Sequence, residues 1–304
     1  MGSLRPPLAA PDGGIISLAL GLLRSHTGDL VSVQIAILVD DTTSCDSVRA
    51  EHGLSVLLSG PGRKVLFDAA SRGDTLLANA AAMGVDLGEI DSVVLSHGHY
   101  DHTGGLAAAA AGRSGLKIYA HPSAWRRRWV EQPGKPLKEV SCPHSLEGLV
   151  QRSAAFHPVD GPQKLEDWLV LSGPVGGPKH GREVFVVSRG SEMVVDGFED
   201  EIFCLLRGER GWAVMTGCCH RGLKNTLRSA RFLSRGEPIV AVFGGLHLKS
   251  ANHEDLQTAA EALADAGRPE VYPCHCTGDG AVKFLAEKMP GKVHPLNAGK
   301  RVVI

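Results

Sequence analysis

The chain has 304 residues, 43% hydrophobic and 21% charged, an ordinary globular composition with room for one large α/β domain or two small ones. A net charge of −1 gives no bulk attraction to nucleic acid or to an anionic membrane, so neither is an expected partner, although a local basic patch leaves room for one. Seven cysteines, at 45, 142, 204, 218, 219, 274 and 276, form no regular framework. That argues against a disulfide scaffold and for a reducing, cytoplasmic setting.

Residues 1–30 read as an N-terminal extension. Their apolar run "IISLALGLL" is too short to span a bilayer, and the loop-like segment before it carries one arginine, a weak match to a signal peptide. Short β-branched runs then predict strands at 32–40, 54–58, 64–68, 92–96, 116–120, 183–187, 202–206, 212–216, 239–243 and 301–304. Helices are predicted over "GDTLLANAAAMG", capped by Asp74 and stopped at Gly84, and over "NHEDLQTAAEALADAG", with Asn252 as cap and Gly267 as stop. A third, "GAVKFLAEKMPG", ends at Pro290. Strands in both halves, each with helices, suit two packed sheets with helices outside, although an open parallel sheet gives the same pattern. No low-complexity linker divides the chain, so residues 31–304 are expected to form one domain. Residues 122–182, rich in Pro, Gly, Arg and His, read as a long excursion, either a lid or a variable surface insertion. The triplet Arg126, Arg127 and Arg128 reads as solvated surface.

The stretch "VVLSHGHYDHTGGL" places His97, His99, Asp101 and His102 within six residues, directly after a buried-type strand and before Gly-Gly. Alternate side chains of an extended segment share a side, so His97, His99 and Asp101 face one way and His102 another unless the chain turns. Such a loop offers two ligands to one ion and two to a neighbour, and metals roughly 3.5–4 Å apart suit hydrolysis. Further ligands should come from other strand ends. His220, His247 and His275 each follow a strand-like run beside glycine. Cys218, Cys219, Cys274 and Cys276 flank these histidines without zinc-finger spacing and read as buried thiols. Asp40, Asp41 and Asp68 sit at strand ends where they can brace histidines. Tyr100 and His121 are candidate pocket-lining residues, with packing as the alternative.

"SHGHYDHTGGL" resembles the H-x-H-x-D-H signature of the metallo-β-lactamase superfamily. With "GLSVLLSGPGRKVLFDAA", "TGCCHRGLKNTL", "FGGLHL" and "PCHCTG" in order, it is similar to one branch, the metal-dependent hydrolases related to dihydropterin-ribofuranosyl-aminobenzene phosphate synthases. The resemblance runs over residues 31–304, outside the 122–182 stretch. It implies an αββα sandwich with two divalent metal ions at one edge, zinc first and manganese or iron as alternatives. It assigns His97, His99 and His220 to one ion, and Asp101, His102 and His275 to the other. Many superfamily members carry a bridging Asp where this chain has Cys218, so either the bridge is absent or Cys218 or His220 takes its place. The implied activity is attack by a metal-bound hydroxide on an ester, lactone, thioester or phosphodiester-type substrate, with Asp101 orienting the nucleophile and His247 stabilising the oxyanion. The alternatives are a synthase-like condensation and a metal-binding module without catalysis.

Overall fold

A computed structural model of the chain describes residues 32–304 apart from 152–153 and 180–183; the expected extension at 1–30 lies outside the described residues. The strands are β1 (Gln34–Val39), β2 (Ser55–Gly60), β3 (Arg63–Phe67), β4 (Ser92–Val94), β5 (Lys117–Ala120), β6 (Arg128–Val130), β7 (Lys138–Glu139), β8 (Ala155–Pro158) and β9 (Gln163–Glu166). They continue as β10 (Leu169–Leu171), β11 (Phe185–Arg189), β12 (Glu192–Val195), β13 (Cys204–Gly208), β14 (Gly211–Thr216), β15 (Ile239–Gly244), β16 (Glu270–Pro273) and β17 (Arg301–Val303). The helices are α1 (Gly73–Ala82), α2 (Tyr100–Thr103), α3 (Leu106–Ala109), α4 (Leu146–Gln151), α5 (Leu223–Leu233), α6 (His253–Asp265) and α7 (Asp279–Lys288).

Two sheets stack face to face, in the orders β17-β1-β2-β3-β4-β5-β8 and β16-β15-β14-β13-β10-β9. The period-2 pattern decides which residue faces which layer. In β1, Ile35 and Ile37 point into the core between the sheets, and Ala36 and Leu38 point outward beneath α1 and α3. In β14, Ala213 and Met215 enter the same central core while Val214 packs under α5, α6 and α7. The layers are therefore helix, sheet, sheet, helix. Both sheets mix parallel and antiparallel pairs, which removes the open parallel alternative. Among the described residues, no helix is long and apolar enough to cross a membrane.

The helix signals hold at α6, where Asp255 N–H donates to the Asn252 side chain and Asn252 N–H donates back at 3.3 Å, a closed capping box. At α1 the cap is not Asp74. The helix begins at Gly73 after Arg72, and Asp74, inside the first turn, pairs with the Arg72 guanidinium at 2.6 Å. Helix α5 was not anticipated. It buries Leu223, Leu227 and Ala230 on one face, but it starts from Gly222 at φ 85° with no side-chain cap.

The 122–182 stretch is not one excursion. Its strands β8, β9 and β10 complete the two main sheets. Only β6 and β7 leave them, joining β11 and β12 in a small antiparallel sheet of order β12-β11-β6-β7. This third sheet is tied to the histidine loop, because Tyr100 N–H donates to Val140 O at 3.0 Å and His99 bridges Ser141. The arginine triplet also departs from expectation. Arg126 and Arg127 are exposed, but Arg128 is 1% exposed and ion-pairs with Asp196 at 2.7 Å and Asp200 at 2.8 Å.

Candidate metal centre

Strands β3 and β4 run parallel, as do β14, β15 and β16, so each set ends at one edge. Asp68 follows β3, His97 and His99 follow β4, and His220, His247 and His275 follow β14, β15 and β16 in turn. The loops are cross-tied: Thr216 Oγ1 donates to Gly245 O at 2.8 Å, and Gly245 N–H donates to Gly217 O at 3.0 Å. Side chains reach inward from backbone that few residues tolerate. Asp68 (φ 58°), His247 (50°) and His275 (51°) all adopt left-handed conformations. Each costs on the order of 1–2 kcal/mol, strain of the kind that gathers at functional sites.

The histidine loop resolves its own spacing problem. It is extended through His99, then turns into α2 at Tyr100. That turn swings His102 back toward His97, with ring centroids 4.3 Å apart. His97, His99 and His220 form one group whose ligand atoms all lie within 4.8 Å of each other. Asp101 Oδ2 is 3.7 Å from His102 Nε2 and 3.6 Å from His275 Nε2. Ligand atoms on a tetrahedral ion with bonds of about 2.0–2.1 Å sit roughly 3.3 Å apart, so this spacing suits a small cation. The Nε2 atoms of His97, His99 and His275, and both ring nitrogens of His220, are buried without a hydrogen-bond partner. Buried polar atoms are rarely left so, and here they converge. The residues therefore fit divalent cations.

The Nδ1 edges of His97, His102 and His275 are occupied, the arrangement that orients a metal-binding histidine. His97 Nδ1 meets Ser96 Oγ at 2.9 Å, His102 Nδ1 meets Asp68 Oδ2 at 2.7 Å, and His275 Nδ1 meets Asp41 Oδ1 at 2.7 Å. Asp68 also accepts from Ser96 N–H and Ser96 Oγ, each at 2.7 Å. Asp40 accepts from His275 N–H at 2.6 Å. Burial pushes His97, His99 and His220 well below the usual histidine range, so they are neutral and able to ligate. Burial alone would raise the Asp101 carboxyl, but His102, His52 and His275 beside it hold it well below the usual carboxylate range. Burial works against a charged His275, yet Cys276 and Asp41 hold it up at about 9, so an incoming cation competes with a proton there.

Cys218 is a buried thiol, as expected, and it also faces the histidine cluster. Its Sγ lies 3.1 Å from His102 Nε2, and it belongs to candidate ligand groups with His97 and His102, with His220 and His247, and with His275 and Cys276. All seven cysteines are free. A cavity of about 230 Å³ opens onto the cluster, and Asp41, Tyr100, Phe185, His247, Lys138 and Lys249 are among its walls. His121 is not one of them; its Nδ1 accepts from Ser123 N–H at 3.1 Å and caps a short turn. His52 also lines this cavity, and nothing in the sequence reading singled it out. Its Nδ1 and Nε2 meet Asp41 at 3.1 Å and Asp101 at 3.3 Å, and these hydrogen bonds, Asp101's first, raise it to about 10. A histidine just before a glycine ahead of β2 was its one local signal.

The fold and this edge cluster define an α/β sandwich with a candidate metal centre, and comparison with known proteins gives it a family. The metallo-β-lactamase superfamily model matches residues 48–194. A solved structure described as a metal-dependent hydrolase of the β-lactamase superfamily is 30% identical, with a TM-score of 0.77, covering 89% of this chain and 98% of that one. The chain belongs to the metallo-β-lactamase superfamily. It is also 26% identical over 288 residues to the 7,8-dihydropterin-6-methyl-4-(β-D-ribofuranosyl)-aminobenzene-5′-phosphate synthase of Methanocaldococcus jannaschii, covering 90% of this chain and 98% of the relative. The metallo-β-lactamase fold protein YhfI of Bacillus subtilis, 13% identical with a TM-score of 0.57, covers 90% of this chain and 99% of its own and shares the fold.

Proposed function

We propose that the chain is a metal-dependent hydrolase of an ester, lactone, thioester or phosphodiester-type small molecule. The observation that carries this is the set of buried, partnerless ring nitrogens of His97, His99, His220 and His275, the last three of which line the cavity. The 30% identity to a structure described as a metal-dependent hydrolase supports it. His97, His99 and His220 would hold one divalent cation, and Asp101, His102 and His275 a second, with Cys218 between. The nitrogen, oxygen and sulfur donor set favours zinc, and manganese or iron also accept mixed donors. Such a pair, when bound, lowers the proton affinity of a water and polarises an electrophile.

The chain's own residues supply the rest. Asp68, Ser96 and Asp41 fix the ring orientations. His247, whose ring centroid lies 4.1 Å from that of His220, faces the cavity where a developing oxyanion would need a donor. Val130, Val140 and Phe185 of the third sheet wall off water, and Lys138 and Lys249 bring positive charge to the cavity.

A second reading is a synthase that condenses a pterin precursor with a ribofuranosyl-aminobenzene phosphate. The near-full-length similarity to the M. jannaschii synthase favours it. Elemental analysis of protein prepared without chelator tests the shared metal claim: about two ions per chain are expected, and His97→Ala should lose metal and turnover together. Protein with no metal overturns both readings. A panel of esters, lactones, thioesters and phosphodiesters, run beside the two synthase precursors, separates them.

A further inference from the structure

We propose that His52 is a positioning residue that joins Asp101 to Asp41 and so aims Asp101 at a cation shared with His102 and His275. The contacts form a closed circuit. His52 Nε2 meets Asp101 Oδ2 at 3.3 Å and His52 Nδ1 meets Asp41 Oδ2 at 3.1 Å. Asp41 Oδ1 meets His275 Nδ1 at 2.7 Å, and His275 Nε2 returns to Asp101 Oδ2 at 3.6 Å. The His52 ring also stacks on His275, with centroids 5.3 Å apart and planes at 29°.

The backbone around His52 is built to hold it there. Glu51 N–H donates to Asp40 O at 3.0 Å, Gly53 N–H to Asp41 Oδ1 at 3.3 Å, and Leu54 N–H to Asp101 O at 3.0 Å. Gly53 has φ 147°, and a Cβ there would lie 2.6 Å from Asp101 O, so only glycine lets the loop press this close. The Glu51 carboxylate accepts from Ser71 and Arg72 N–H at 3.1 and 2.9 Å, anchoring the loop from its other side. A solvated histidine with a side chain 55% exposed has no need of such ties or of two carboxylate partners.

The physical role follows from the freedom of a carboxylate. Its terminal torsion is broad, so an Asp that ligates through one oxygen needs a second contact to fix it. Oδ2 of Asp101 lies 3.3 Å from His52 Nε2, 3.7 Å from His102 Nε2 and 3.6 Å from His275 Nε2. Losing such a bracing partner costs about 10–100-fold in metal affinity. The inference rests on the metal reading above.

Zinc competition against a chromophoric chelator tests it. In His52→Ala one of two ions should bind about 10–100-fold more weakly and the other as in the wild type. Free imidazole should restore the weakened ion, because the vacated position opens onto the cavity. Two ions held as tightly as in the wild type, or no rescue, overturns the inference alone. Three ions in the wild type and two in the variant would make His52 itself a ligand and also overturn it. A wild-type chain that holds no ion overturns the metal reading and this one with it. Should His52→Ala not fold, ring-nitrogen NMR of the metal-free wild type decides instead: the His52 resonances should move in Asp101→Asn, and unmoved resonances overturn the circuit.

Discussion

Replacing Arg128 with methionine keeps most of the buried stem and removes the charge. The guanidinium sits between Asp196 and Asp200, at 2.7 and 2.8 Å, and donates to Ser123 O at 3.0 Å. The two carboxylate side chains are 3% and 0% exposed, so the variant leaves both without their cation. Breaking a buried pair from one side costs about 3–5 kcal/mol. One cation serving two anions puts the expected loss near the top, about 5 kcal/mol, against a total stability of roughly 5–15 kcal/mol. At about 2–4 °C per kcal/mol for a chain of this size, Tm should fall by roughly 10–20 °C. The loss should also depend on pH. Burial holds the Asp200 carboxyl above its ordinary range even with Arg128 beside it. A carboxyl raised in the folded state binds a proton more readily there than when unfolded, so stability declines as pH rises from the ordinary carboxylate range through the raised value. Without Arg128 that value rises further, and the gap to wild type should widen from about pH 5 to about pH 8. Urea denaturation followed by tryptophan fluorescence at both pH values measures it. A loss under about 1 kcal/mol, or a gap that narrows with rising pH, would refute the account of Arg128 as the counter-ion of two buried acids.

Asp68→Asn should weaken metal binding by about 10–100-fold in chelator competition, since the amide cannot accept from both Ser96 groups and His102; equal affinity would count against its bracing role. Gly98→Ala forces a Cβ into Ala124 O and to 2.6 Å from the Arg128 guanidinium, with a stability cost of about 1–3 kcal/mol and a displaced His97–His99 pair. Calorimetry showing an unchanged Tm would refute that close approach. Phe185→Ala should raise KM more than it lowers kcat on any turned-over substrate, because Phe185 lines the cavity and stacks on His99 at 5.1 Å; a pure kcat effect would argue that it acts on the chemistry.

The strands that sequence showed best are those buried on both faces, such as β1 and β15, whose β-branched runs are long enough to stand out. Those in 122–182 are hidden because β7 has two residues and β10 three, and because β6, β8 and β10 pair with strands distant in the chain, β11, β5 and β13. Helix α5 showed a regular apolar face among arginines but lacked a cap to announce it. The histidine loop was legible because its chemistry is concentrated within six residues. His52 and Arg128 were not. Each takes its meaning from carboxylates brought to it only by folding, and the arginine triplet reads as solvated although its third member is buried. Cys218 was weighed as a bridge substitute, and the turn at Tyr100 that sets His102 beside it is a local conformation that spacing alone leaves open.

Among the described residues, the third sheet and its flanking segments carry a small apolar cluster, Val140, Phe185 and Phe198, and are tied to the body by the Arg128 ion plug and by backbone contacts at Tyr100 and Ser141. The side chains proposed to hold cations sit on segments that follow strands of the two large sheets, whereas one flank of the cavity belongs to this appendage. Under the proposed function, reactivity and molecular taste would thus be mounted on separate pieces of chain. A transplanted flank that kept the plug and its acids could meet a new guest while the reactive floor stayed as it is.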